Sequence, residues 1–300
     1  MSAAVENLII AVCYLIVIIL IAGTAVFFLL TRQAKVIKKK TVRADSVLPE
    51  RKKYVKLIRI ALISDMHIPM MPPSGEEIIS AIKSGNPDYV VVAGDLCSNR
   101  KYRKEVSEFL SRLEDEVGTK IFVVLGNHDI GDVCGNNYIN VKKYIETVEN
   151  SGCNIKVLKD ESYVTECHGT GRKILFGGFN DYRHSNADVS KSLCRKWKKE
   201  AEDCGADFVL IAHNPDSTEF IENGAEPAAA LFGHTHGGQV WLPFNFEFRF
   251  LRSDKLPRRG YKYGLYLYEN RFPIYITSGV GCTFLPIRFR TSAEIVFFDI

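Results

Sequence analysis

The 300-residue chain has no charged residue from Leu8 to Leu30, no cysteine pair in Cys-x-x-Cys spacing, and neither an internal repeat nor a low-complexity tract. Each absence excludes something. An apolar run of 23 residues can cross a hydrocarbon layer roughly 30 Å thick at about 1.5 Å per residue. The core helix of a soluble domain rarely exceeds about 14 uncharged residues and keeps a polar face. A cleaved signal peptide would carry positive charge ahead of a shorter apolar core, whereas only Glu6 precedes this run. Residues 8–30 therefore read as a retained transmembrane anchor. The missing Cys-x-x-Cys spacing argues against a thiolate metal site. Outside the anchor, which holds Cys13, the remaining cysteines are odd in number. A domain this large folds without covalent staples, so reduced thiols in a cytosolic compartment fit best.

Positive charge is scarce before the apolar run and concentrated after it. Eleven Lys or Arg lie between Arg32 and Arg59 against Asp45 and Glu50, a local balance of +9 in a chain whose total is +4. The folded body beyond is consequently mildly acidic. Positive flanks stay cytoplasmic, which places the N-terminus outside and the body in the cytoplasm. Residues 31–55 read as a basic linker, either lying against anionic headgroups or simply solvated. No nucleic-acid partner is expected, because a basic groove would belong to the folded body.

From residue 56 to 300, short apolar runs alternate with amphipathic segments. Strands are expected at 56–64, 88–93, 120–125, 208–212, 228–232, 263–268, 274–277 and 294–299, with two or more in 155–179 broken by a turn at 169–171. Helices are expected at 74–84, where Ser74 caps ahead of Glu76 and Glu77, and at 101–116, 138–150 and 189–203. This pattern indicates an α/β layered domain with ligands at the strand ends and a second sheet packed on the first.

Five strand ends carry oxygen and nitrogen ligands: Asp65 and His67; Asp95; Asn127, His128 and Asp129; His213; and His234 with His236. Alone, each is more economically a turn residue, a helix cap or a structural histidine. Together they are not. Asp65 to Asp95 is 30 residues and Asp95 to Asn127 is 32, about one βαβ unit each, which brings successive strand ends side by side on one rim. Carboxylates, an amide oxygen and imidazoles, with no thiolate, suit a pair of divalent ions of the Mn, Fe or Zn type. Two ions about 3.5–4 Å apart would share and acidify a water and offset negative charge on a bound group.

These blocks, in this order, resemble the calcineurin-like metallophosphoesterase superfamily. The longer forms His213-Asn214-Pro215-Asp216 and Gly233-His234-Thr235-His236-Gly237-Gly238-Gln239, with the tail Leu285-Pro286-Ile287-Arg288-Phe289, are similar to a bacterial membrane-associated branch. That branch includes a UDP-2,3-diacylglucosamine pyrophosphohydrolase of lipid A synthesis. The resemblance implies an α/β, four-layer αββα sandwich. It implies one metal held by Asp65, His67, Asp95 and His236, and a second held by Asp95, Asn127, His213 and His234, with Asp95 bridging. His128 would contact the scissile phosphate or protonate the leaving oxygen, and Asp129 would orient His128. One departure is that Ile68-Pro69-Met70-Met71-Pro72-Pro73 follows the first histidine, where the family usually has a glycine.

Substrate contacts are less sharply marked. Trp241 to Phe250 alternates aromatics at period two, which fits a strand with one buried face or an apolar, membrane-facing wall beside the metals. Lys255, Arg258, Arg259 and Lys262 fit either phosphate reception or a solvated charge run. Asp181 and Arg183 lie in a candidate substrate loop. Tethering concentrates a lipid-linked phosphate at the active site. The leading expectation is therefore hydrolysis of a phosphodiester or pyrophosphate in a lipid or nucleotide-lipid headgroup at the bilayer. Soluble or cell-envelope substrates are the alternative, and an inactive phosphate-binding module the remote one.

Overall fold

In β3 (Tyr89–Ala93), Tyr89, Val91 and Ala93 pack to one side and Val90 and Val92 to the other, and all five are buried. A strand apolar on both faces needs cover on both, and the computed structural model, which describes residues 3–49 and 56–300, provides it. Strands are numbered in chain order. One six-stranded sheet runs β1 (Ile37–Arg43), β12 (Ala293–Asp299), β2 (Arg59–Ile63), β3, β4 (Lys120–Val124), β5 (Ile155–Val157). The other runs β10 (Gly264–Tyr268), β11 (Phe272–Ile276), β9 (Ala229–Phe232), β8 (Ala206–Ile211), β7 (Lys173–Gly178), β6 (Glu161–Glu166).

The sheets face each other through a dry interior in which the Phe122 and Phe176 rings sit 4.3 Å apart. On the outer face of the first sheet lie α2 (Gly75–Lys83), α3 (Arg103–Val117) and α4 (Tyr138–Glu149), which pack Ile78, Leu110 and Tyr144 into a separate core against that face. Behind the second sheet α5 (Ala187–Cys204) buries Trp197. The result is the four-layer αββα arrangement. Ser74 caps α2 as read from sequence: its Oγ accepts from the Glu77 amide at 3.2 Å, and the Glu77 carboxylate accepts from the Ser74 amide at 2.8 Å. Such a box is worth about 1 kcal/mol.

Strands β2, β3 and β4 are parallel neighbours, as are β7, β8 and β9. Their C-terminal ends therefore collect on one rim, which is where ligands bind in open α/β sheets.

The N-terminal helix α1 (Ala3–Ala34) is long and apolar enough to be a candidate membrane span, and its apolar stretch is not buried against the rest of the described residues. Two expectations need correction. The stretch 31–55, read as a linker, contains β1, which pairs in parallel with β12 from Ile37↔Ala293 to Arg43↔Asp299. Its alternating Lys and apolar residues disguise an edge strand as a charge run; Lys40 pairs with Glu294 at 2.5 Å. Residues 50–55 of that stretch lie outside the described residues. The aromatic run 241–250 is not a strand: short helical turns cover Pro243–Asn245 and Glu247–Leu251, and Phe244 takes a left-handed φ of 59° that breaks any extended ladder.

Candidate metal centre

The residues at the rim are held in backbone conformations that only a crowded site tolerates. Asp65, His67, Asp95, His234 and His236 all have φ between 46° and 70°, a region costly to non-glycine residues and concentrated at functional sites. The loops hold one another there. The Asp65 amide donates to the Gly94 carbonyl at 2.9 Å, the His67 amide to the Asp95 carbonyl at 3.0 Å, and the His234 amide to the Asp65 carboxylate at 3.0 Å. Gly94 is required at its position: φ is 83°, and a Cβ would fall 2.6 Å from His213 Nδ1.

Three groups of ligand atoms result, each with its members within 4.8 Å of one another: Asp65, His67 and His236; His67, Asp95 and His128; Asp95, His213 and His234. Asp95 belongs to two of them and links the two sheets. Its Oδ2 lies 3.1 Å from His213 Nε2 and 3.5 Å from His67 Nε2, while Oδ1 accepts from the His128 amide at 3.0 Å. His67 Nε2 and His236 Nε2 approach to 3.1 Å, as do His234 Nδ1 and His213 Nε2. His213 Nδ1 lies 2.8 Å from the Ala93 carbonyl. Donation there turns Nε2 toward Asp95.

Electrostatics sort these groups. Burial pushes His67 down and His236 well below the usual imidazole range, so both present neutral lone pairs. Burial also disfavours charge on His213, but the adjoining Asp95 outweighs it and lifts the imidazole to about 10. Asp95 itself is driven well below the carboxylate range, because its histidine neighbours overcome its burial. Asn127 Oδ1 is buried with no hydrogen-bond partner. A buried acceptor left unpaired costs about 1–3 kcal/mol, and a cation among these oxygens and imidazole nitrogens would satisfy it. The donor set fits a divalent metal.

Around the ligands lies a cleft of about 230 Å³ lined by Asn127, His128, Arg183, Arg252, Asp254 and Phe284, among others. Several sequence-derived roles change here. Asp129 does not orient His128. Its carboxylate is wholly buried and accepts from the Leu96 and Gly126 amides at 3.0 and 2.9 Å, clamping two strand ends together. The partner of His128 Nδ1 is Asp132, at 2.5 Å, and the i, i+4 spacing was the available signal. Burial foremost, then the charge of Asp95, raises Asp129 to about 7.

Of the candidate substrate residues, Arg183 lines the cleft. Asp181 is buried beneath it and accepts from the Arg183 amide at 3.0 Å. Trp241, Arg258 and Arg259 are directed elsewhere. The Trp241 indole donates to the Gly237 carbonyl, Arg258 donates to the Arg252 carbonyl, and Arg259 pairs with Glu269, each at 2.5 Å. Lys255 pairs with Glu219 at 2.9 Å. The second cation at the cleft, beside Arg183, is Arg252, whose Nε meets Asp254 Oδ2 at 2.7 Å. Asp254 Oδ1 lies 3.1 Å from His234 Nε2, which fixes that ring with Nδ1 toward His213. A carboxylate behind a ligating imidazole is a common metal-site device. Burial opposes charge on Asp254, yet His234 and Arg252 hold it far below the usual range. Nothing in the local sequence marks Arg252 or Asp254, since their place depends on how the preceding turns fold back.

The chain is 25% identical over 245 residues to a metallophosphoesterase of Helicobacter pylori strain J99, covering 81% of this chain and 59% of that protein. It is 28% identical over 253 residues to a zebrafish (Danio rerio) transmembrane protein with metallophosphoesterase domain, covering 79% and 52%. To the phosphodiesterase YaeI of Escherichia coli K12 it is 27% identical over 248 residues, covering 81% and 82%. The chain thus spans little more than half the length of the first two. The family model for calcineurin-like phosphoesterases matches residues 58–238, which hold every candidate ligand, and the chain belongs to that family.

Proposed function

We propose that the protein is a membrane-anchored, dinuclear-metal phosphohydrolase that cleaves a phosphodiester or pyrophosphate bond in a lipid or lipid-precursor headgroup from the cytoplasmic face. The observation carrying this reading is that the ligand groups join through His67 and Asp95, and that Asp95 lines a cleft with His128, Arg183 and Arg252. Asp65, His67, Asp95 and His236 would hold one ion, and Asp95, Asn127, His213 and His234 the other. Bound divalent ions supply Lewis acidity, lowering the pKa of water and drawing charge from phosphoryl oxygens.

The chain's own residues supply the rest. Asp132 holds His128 Nδ1, so Nε2 is the nitrogen left to give a proton to the departing oxygen. Arg183 and Arg252 set positive charge at the mouth, where a substrate phosphate enters. The candidate span supports a lipid substrate, because anchoring raises the effective concentration of a bilayer-borne phosphate.

UDP-2,3-diacylglucosamine is the leading candidate. The test is to assay the detergent-solubilised full chain, loaded with Mn, Fe or Zn, against that compound and against bis-aryl phosphodiesters. UMP release supports the proposal. Turnover of small diesters alone retires the nucleotide-lipid candidate in favour of a general phosphodiesterase, and no turnover with any metal retires the hydrolase. A C-terminal tag cleaved by externally added protease overturns the cytoplasmic placement.

A further inference from the structure

Two loops beside the cleft expose an unusual amount of aromatic surface. Phe244, Phe246 and Phe250 lie on the first, and Phe284, Leu285 and Phe289 on the second; Phe244 is 88% and Phe284 94% exposed. Contiguous apolar surface on this scale marks an interaction site. The loops form one surface: the Trp241 amide donates to the Phe289 carbonyl at 3.2 Å, and the Thr283 amide to Gln239 Oε1 at 2.8 Å. Thr283 and Phe284 also line the cleft.

The position of this surface identifies its partner. The Arg288 amide donates to the carbonyl of Leu30 at 3.3 Å, and the Gln33 side chain to the Thr291 carbonyl at 3.2 Å. Leu30 is the last apolar residue before Thr31 and Arg32 in α1, so the second loop touches the helix where it would leave the hydrocarbon. Charge agrees with that depth. The exposed charged residues between 241 and 250 and between 283 and 290 are Arg249 and Arg290, while Glu247 is buried against the Leu242 amide. Exposed aromatics with flanking arginines and no exposed carboxylate suit an anionic bilayer interface.

We infer that the loops at 241–251 and 283–291 form an interfacial insertion surface, whose aromatic tips enter the headgroup–acyl boundary beside α1 and set the cleft mouth against the bilayer. The inference rests on reading α1 as a span and deepens the proposed function, since the scissile phosphate would be presented from the headgroup layer.

The full chain is reconstituted in vesicles of phosphatidylglycerol and phosphatidylcholine with photoreactive benzoylphenylalanine at position 244, 284 or 168. Position 168 is an exposed histidine in the turn between β6 and β7, at the opposite end of the strands. Irradiation should yield lipid adducts at 244 and 284 and none at 168. Absence of lipid adducts at 244 and 284, or crosslinks there to a second protein chain instead, overturns the inference. This readout needs no turnover, so failure of the proposed activity is seen separately.

A second variant, Phe244→Asn with Phe250→Asn, keeps a residue type that tolerates the left-handed backbone of residue 244. It should lower kcat/KM toward a vesicle-embedded phosphodiester lipid about tenfold, or roughly 1.4 kcal/mol, and leave a soluble bis-aryl phosphodiester unaffected. An equal loss on both substrates would overturn a membrane role for the loops.

Discussion

The strand-end rim and the segment from Trp241 to Lys262 border the same cleft but are built by opposite means. At the rim, each ligand follows a buried strand within four residues, and backbone bonds between neighbouring loops hold those loops in place. In the later segment, side-chain direction is set by contacts far along the chain, as when Lys255 reaches Glu219, 36 residues away, or Asp254 reaches His234, 20 residues away. Local backbone constraint therefore decides where the candidate ligands sit, and long-range packing decides which cations line the cleft.

That contrast can be tested from its strongest consequence down. Asp95→Asn, which strikes the carboxylate shared by two ligand groups, should reduce turnover to background and lower bound metal, read by elemental analysis of the purified protein. Full activity in this variant would dissolve the distinction altogether. His128→Ala should cost about a thousandfold in kcat with metal content intact; loss of the metal would make His128 a ligand. Asp129→Ala should act on folding, destabilising by about 3 kcal/mol as two buried amides lose their acceptor, read as a shifted denaturant midpoint. Asp132→Asn, by contrast, should slow turnover with an unchanged midpoint. Among the later cations, Arg252→Ala should raise KM about tenfold, roughly 1.4 kcal/mol. Arg259→Ala should leave KM alone and shift stability by no more than about 0.5 kcal/mol. Reversal of that last pair would restore the basic run as the substrate contact.

The same contrast explains what could be read from sequence. The central strands were legible because β3 and β8 are short, apolar and bounded by turn residues. The candidate ligands were legible because parallel neighbours must bring their ends together. Strand β1 was not, since an edge strand with one solvated face alternates Lys with apolar residues and looks like a charged tether. The turns at 243–251 were misread because Phe244 takes a left-handed φ that its side chain does not announce. Asp129 was assigned to its sequence neighbour His128, whereas a helical turn offers the i+4 residue Asp132 instead. Asp254 had no signature, because its contact with His234 bridges 20 residues of irregular chain.

Only two residues separate Ala34 from the start of strand β1 at Ile37, and this has a practical consequence. A soluble version trimmed to begin beyond residue 43 would discard a sheet member along with the hydrophobic helix. It would bare the hydrogen-bonding edge of β12, an invitation to edge-to-edge aggregation. A chain beginning at residue 35 should behave better in solution, and it would allow the proposed activity to be measured apart from the apolar helix.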